Sequence, residues 1–250
     1  MKFNIIKIPR LASTNSYMQE QVEKKALQEG DVVRALFQDE GKGQGGNNWE
    51  SEYGKNLLFS MMLEPKTIDA SQQFILTQLV SLALLEEIIE FLVSFNIDVK
   101  IKWPNDIYVD NKKIAGMLFQ NSIKGNKIDY SIVGIGVNIN QLKFLSSAPN
   151  PISIIHFTKK LTDIDIFLNK LLSKIGKEYD KVTIHQNKEL LKERYVNSLF
   201  RFNSWHNYSD SEGIFYGKII DIDEYGRLIV LKNTGKQKVY MHKEIGFDFS

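Results

Sequence analysis

Apolar and polar side chains alternate over residues 3–8, the period of a half-buried strand. Ser13-Thr14-Asn15 then supplies capping side chains and predicts a helix over about residues 17–27, stopped near Gly30. Residues 32–38 and 56–63 predict two more strands, separated by a loop that holds four of the sixteen glycines between Gly41 and Gly46. Over residues 71–95 the positions Phe74, Ile75, Leu79, Leu82, Leu85, Ile88, Ile89 and Leu92 recur at helical spacing, which predicts a long amphipathic helix packed on a sheet. Ile97, Val99, Ile101 and Trp103 alternate with polar neighbours, and residues 107–109 face residues 114–119 across Asp110-Asn111 as a hairpin. Another strand is predicted over residues 128–139, with Gly134 and Gly136 inside it; such glycines mark a bulge or a backbone that a ligand approaches closely. A looser stretch with Pro149-Asn150-Pro151 precedes helical patterns over residues 164–179 and 189–196. From Leu199 onward the pattern becomes short strands joined by Asp223-Glu224-Tyr225-Gly226 and Asn233-Thr234-Gly235, a small all-β module of about 50 residues.

Composition narrows the chemistry more than the fold. With 43% hydrophobic and 25% charged residues the 250-residue chain reads as globular, with room for one large domain or a catalytic domain plus a small one. Lys+Arg minus Asp+Glu is 32 − 30 = +2, so no bulk field commits it to nucleic acid or to an anionic membrane, and an anionic ligand must be bound locally. There is no cysteine, which removes disulfides, thiolate metal sites and thiol nucleophiles. The start, MKFNIIKIPR, lacks a signal peptide's apolar stretch, and the most apolar region is interrupted by Gln78, Glu86, Glu87 and Glu90; a cytoplasmic protein is expected. His156, His185, His206 and His242 show no metal-ligand spacing and read as structural or surface residues.

Four segments could carry chemistry. In Lys102-Trp103-Pro104-Asn105-Asp106 the proline breaks an alternating strand and Asn105 and Asp106 suit the turn that follows. In Lys112-Lys113-Ile114-Ala115-Gly116 adjacent lysines on a strand point to opposite faces, so one can turn inward, where its ammonium needs an anionic partner. Gly41-Lys42-Gly43-Gln44-Gly45-Gly46 offers backbone N–H groups and one cation, the parts of a phosphate or carboxylate cradle. It contains the letters of a dinucleotide-binding fingerprint, but no helix is expected after it, which argues against a Rossmann site. In Gly134-Ile135-Gly136-Val137-Asn138 the terminal amide oxygen, with a carboxylate such as Asp106, could hold a hard cation.

Taken in order, Ser13-Thr14-Asn15, Gln38 with Gly41 and Gly43, Trp49, the KWPND run 102–106, Lys113 with Ala115 and Gly116, and Gly134-x-Gly136-x-Asn138 resemble the motif series of biotin protein ligases. The resemblance covers the whole chain. It implies an α+β fold: a mixed-sheet catalytic domain of the biotin/lipoate ligase type over residues 1–197, with helices packed on the sheet, and an SH3-like barrel over residues 198–250. It also implies a chain without the DNA-binding winged helix of the family's gene-regulating members. The implied reaction consumes ATP and biotin with Mg²⁺. A biotin carboxylate attacks the α-phosphate, and the adenylate then acylates a lysine of a biotin carboxyl carrier domain. No DNA or membrane partner is implied, and monomer and homodimer both stay open.

Carried over motif by motif, the catalytic residues would be Lys113, Asp106 and Lys42, with Lys113 on the biotin carboxylate and α-phosphate. Biotin would meet Ser13, Thr14, Asn15, Gln38, Gly41, Lys42, Trp49, Lys113, Gly116, Gly134 and Gly136. ATP would meet Lys42, Gly43, Gln44, Trp49, Asn105, Lys113 and Asn138, and Asp106 and Asn138 would hold Mg²⁺. A carboxylate is already a nucleophile, so no cysteine or serine is needed. The glycine loop departs from the family: arginines are usual where Lys42, Gln44, Gly45 and Asn47 stand, so a looser clamp on the adenylate, or contacts supplied from elsewhere, are expected. Two rival readings are a lipoate or octanoate ligase or transferase of the same fold and a non-catalytic biotin sensor. KWPND fits the biotin branch better, and a sensor needs neither Lys113 nor a metal pair.

Overall fold

The computed structural model describes residues 1–145, 150–184 and 187–249; Pro149 and His185 lie outside these. The first strand, β1 (Asn4–Leu11), leads to Ser13, whose hydroxyl accepts from the Ser16 N–H and starts α1 (Thr14–Glu23) three residues earlier than the periodicity predicts. Thr14 and Asn15 therefore belong to the helix. It also ends early, because Lys25 takes a left-handed φ of 56°. Next come β2 (Asp31–Gln38) and β3 (Leu57–Leu63), then α2 (Phe74–Leu92), and then β4 (Val99–Lys102), β5 (Asp106–Val109), β6 (Lys112–Lys124) and β7 (Lys127–Val137). The helices α3 (Ile155–Thr158), α4 (Ile164–Thr183) and α5 (Lys188–Asn197) follow. Asp163 caps α4 by accepting from the Asp165 and Ile166 N–H groups.

The first seven strands form one sheet in the order β1-β2-β3-β7-β6-β5-β4, in which β1 and β2 are parallel and the other neighbours antiparallel. Strand β7 is central, and its two faces differ. Val133, Ile135 and Val137 join the main core with α2, whereas Ile132 packs with Met18, Val33 and Met62 beneath α1. Gly134 and Gly136 continue the α1 face, so side chains are missing there over two turns of the pleat.

Helix α2 is not amphipathic as predicted. Gln78, Ser81 and Glu87 are buried along with its apolar positions, because α4 and α5 cover the side turned away from the sheet. Buried Glu87 faces Lys174 Nζ of α4 at 3.4 Å, which offsets part of the cost of burying its charge, while desolvation still raises its pKa.

The remaining strands, β8 (Trp205–Asp210), β9 (Gly213–Ile222), β10 (Leu228–Lys232), β11 (Gln237–Tyr240) and β12 (Gly246–Phe247), form a second sheet, antiparallel throughout. Two of the contacts that fasten it to the rest of the chain involve main-chain groups. Leaving α5, the chain runs beside β4, with the Ile101 N–H donating to Ser198 O and the Phe200 N–H donating to Ile101 O. The β9–β10 turn then docks on the larger sheet: Trp103 Nε1 donates to Gly226 O at 2.9 Å, and Gly226 at φ 81° lies so close to Phe74 that a Cβ would fall 2.0 Å from its ring.

Asp210 knits the small sheet together, receiving Tyr240 Oη, Lys232 Nζ and Lys238 Nζ. Desolvation opposes its charge, but these donors outweigh it and hold the carboxyl well below the usual carboxylate range. A depressed folded pKa contributes stability above the unfolded pKa, about 4, that is lost as pH falls through the folded value. Asp210→Asn is therefore expected to cost about 1–2 kcal/mol at neutral pH. The deficit relative to the wild type should narrow below about pH 4, as read by chemical denaturation at several pH values. Among the described residues no helix is long and apolar enough to cross a membrane.

Candidate active site

The missing side chains on β7 open a cavity on the α1 face of the large sheet. The N-terminal end of α1 walls one side, the glycine loop between β2 and β3 another, and the KWPND turn with β6 a third. Ser13, Thr14, Asn15, Gln38, Lys42, Gly43, Gln44, Trp49, Asn105, Asp106, Lys113, Gly116, Gly134 and Gly136 all line it. Asn138 lies in the adjoining cavity, which Trp49, Asp106 and Lys113 also line. Gly41 is set back: the Trp49 N–H donates to its carbonyl, and a Cβ on Gly41 would meet Trp49 O at 2.4 Å.

At the α1 wall the Thr14 N–H and hydroxyl both donate to Gln38 Oε1, at 2.7 and 2.9 Å. Ser60 of β3 lies 2.8 Å from Thr14 Oγ1 and 2.5 Å from Asn15 Oδ1, and Asn15 Nδ2 donates to Gln120 Oε1. This polar cluster is rigid because each amide and hydroxyl is fixed by a neighbour. It also explains Gly134, where a Cβ would fall 2.0 Å from Asn15 Oδ1. Similarly, a Cβ on Gly136 would fall 2.5 Å from the Trp49 indole, and one on Gly116 3.0 Å from Asp106 Oδ1 and 3.1 Å from Lys113 Nζ. The strand glycines thus leave room for the protein side chains that shape the cavity walls, and they line the cavity themselves.

The charged centre is Lys113 Nζ, 2.7 Å from Asp106 Oδ1 and 5.6 Å from the centre of the Trp49 ring. A β-bulge puts it there. Asp106 pairs with Gly116 and Ile107 with Ala115, but the register then shifts so that Tyr108 pairs with Lys113. Lys113 and Gly116 are three positions apart, which in a regular strand places them on opposite faces. The extra residue on β6 returns Lys113 to the Asp106 side, while Ile114 is buried in the core and Lys112 is exposed. Asn105 Nδ2 is spent on Met117 O, and Tyr195 of α5 donates to Pro104 O at 2.6 Å, so the turn carrying Asp106 is braced from behind.

Three buried polar atoms facing this region have no protein partner: Gln44 Oε1, Trp49 Nε1 and Asn138 Oδ1. Buried polar groups are normally satisfied, so orphans converging on a cavity mark where a ligand's polar groups go. Lys42 Nζ instead donates to Ser16 Oγ. The sequence reading missed Lys102 and His242. Lys102 Nζ lies 4.6 Å from the centre of the Phe247 ring, and desolvation, reinforced by Lys113 and Arg201, lowers its pKa against the pull of Asp106. His242 comes from the small sheet. Burial, then Lys102, lowers its pKa, with Lys243 and Lys113 adding to the effect. Lys102 lies within the motif and could have been found from it, whereas nothing in the spacing of His242 ties it to residues over a hundred positions away.

Residues 7–138 match the Biotin/lipoate A/B protein ligase family, and residues 209–241 match the biotin protein ligase C terminal domain. The chain belongs to the biotin/lipoate A/B protein ligase family. Over 228 residues it is 29% identical to the bifunctional ligase/repressor BirA of Bacillus subtilis, an overlap of 85% of this chain and 65% of that protein's length. It is 35% identical over 135 residues to the chloroplastic biotin–protein ligase 1 of Arabidopsis thaliana, covering 53% of this chain and 35% of that one. The structure superposes on a biotin protein ligase from Aquifex aeolicus in complex with biotin and ATP, with a TM-score of 0.80, 26% identity and 99% of each chain covered. The α+β architecture expected of the family, with a mixed sheet, packed helices and a second antiparallel sheet, is the one observed.

Proposed function

We propose that this protein activates biotin with ATP to biotinyl-5′-AMP and transfers the biotinyl group to a lysine of a biotin carboxyl carrier domain. The observation that carries this reading is the Lys113–Asp106 pair, which lines both of two adjoining cavities whose walls also hold three unsatisfied buried polar atoms, on a fold shared with a ligase that binds biotin and ATP. In the first step a biotin carboxylate oxygen bonds to the α-phosphorus as the bond to the β-phosphate oxygen breaks, and pyrophosphate leaves. Lys113 offsets the charge that grows at phosphorus and holds the attacking carboxylate in place. In the second step the acceptor amine bonds to the acyl carbon, AMP leaves, and the amine's proton is lost, with Asp106 placed to orient the incoming group.

The Thr14, Asn15 and Gln38 cluster supplies fixed donors and acceptors for a ureido ring, and Trp49 covers the apolar body. Asp106 and Asn138 fit a magnesium ion. The Asn138 Oδ1 is a buried acceptor without a donor, and a carboxylate paired to one lysine keeps further acceptor capacity. No cluster of three or more His, Cys, Asp or Glu exists among the described residues, which suits an ion held by one or two side chains and the nucleotide's own phosphates. When bound, Mg²⁺ would offset phosphate charge. We place the division between catalytic and C-terminal units at residues 197/198, where α5 ends.

Incubating the protein with biotin, MgATP and a biotin carboxyl carrier domain tests the reading: the carrier should gain the mass of one biotinyl group. An unmodified carrier, or equal modification with lipoate or octanoate in place of biotin, overturns it. Gly134→Ala would push Asn15 from its seat and should weaken biotin binding by about tenfold while changing the KM for ATP less than twofold. Titration calorimetry with biotin alone would show this, and an unchanged affinity would separate the α1 cluster from biotin.

A further inference from the structure

The glycine loop contains no arginine, and its own cation is turned to Ser16. A second cation reaches the loop from the small sheet. Lys243 Nζ donates to Gly45 O at 2.9 Å, and its stem lies so close over Gly45 that a Cβ there would sit 2.3 Å from both Cε and Nζ. Gly45 takes φ 67°, so two left-handed residues meet at this contact. Lys243 is exposed and takes φ 73°. A left-handed conformation costs a lysine about 1–2 kcal/mol that glycine does not incur. No buried packing holds Lys243 in place, so the side chain's contact is what such a residue adds there. Its neighbour His242 lines the cavity, with its ring centre 6.2 Å from that of Trp103, so the segment carrying the lysine is part of the cavity's rim.

We propose that Lys243 latches the glycine loop from the C-terminal module through Gly45, supplies the restraint that arginines within the loop would give, and so retains the adenylate until the acceptor lysine arrives. The retention half rests on the ligase reading; the latch itself rests on the contact. Lys243 acts here as a positioning residue, since its ammonium is engaged with the loop backbone. Glycine at position 243 removes the latch and also relieves the left-handed backbone, so Lys243→Gly should fold at least as stably as the wild type.

Trypsin cleavage after Lys42 in the ligand-free full-length protein reads the latch directly. Lys243→Gly should be cut about fivefold faster than wild type, the loss expected for one hydrogen bond to an exposed charged group, and Lys243→Arg should stay within about twofold of it. In parallel, the ratio of biotinyl-adenylate release to adenylate formation, measured without carrier, should rise about fivefold in Lys243→Gly and fall back when Gln44→Arg is added. Cleavage of Lys243→Gly at the wild-type rate overturns the latch whatever the activity. Faster cleavage with unchanged release overturns its part in retention. A wild-type protein that makes no adenylate overturns the ligase reading, and the cleavage rates still decide the latch.

Discussion

Lys113→Ala is expected to lower the rate of adenylate formation by about 10²–10³-fold, with kcat falling and the KM for biotin rising. The ammonium is the cation nearest Asp106, at 2.7 Å, and works in a partly desolvated cavity where a fixed charge is worth more than in water. The fold should survive. The two side chains are 26% and 21% exposed, so water reaches the carboxylate left behind and no buried charge is stranded. Pyrophosphate release with biotin and MgATP measures the effect, and near-wild-type turnover would take the reacting carboxylate away from this lysine.

Gly226→Ala is the largest stability effect expected. The new methyl would stand 2.0 Å from the Phe74 ring on a backbone at φ 81°, so it meets both overpacking and left-handed strain, about 2–4 kcal/mol together. The penalty falls on the turn that receives the Trp103 indole N–H, next to the turn bearing Asp106. Loosening it should therefore lower activity as well as the denaturation midpoint, with the small sheet freed first. A variant of wild-type midpoint would mean that Phe74 turns aside without cost.

The Lys113–Asp106 ion pair was legible in the sequence because its parts are local: a strand, a proline-bounded turn and a hairpin put Asp106 and Lys113 within eight residues. The adjacent lysines showed that one can turn inward, but alternation could not say which, because the bulge that decides it is made by pairing with β5. The strand glycines were noticed for the right reason, close approach, yet their neighbours Asn15 and Trp49 come from distant segments. Helix α2 was misread because burial on its far side depends on α4 and α5, which local periodicity does not contain. His242 and Lys243 were invisible because the one reaches the cavity and the other the glycine loop only through the docking of the second sheet.

The bulge in β6 has an evolutionary side. Along a pleated strand, facing is a matter of odd and even, and an odd gap between Lys113 and Gly116 works only with the one-residue shift in register. Inserting or deleting a single residue between the turn at Asp110-Asn111 and Gly116 can exchange which lysine meets Asp106, a change no point substitution reverses. In this stretch the count of residues should drift more slowly among relatives than their identities. An alignment that opens a one-residue gap there is either misplaced or describes a protein whose lysine has left the site.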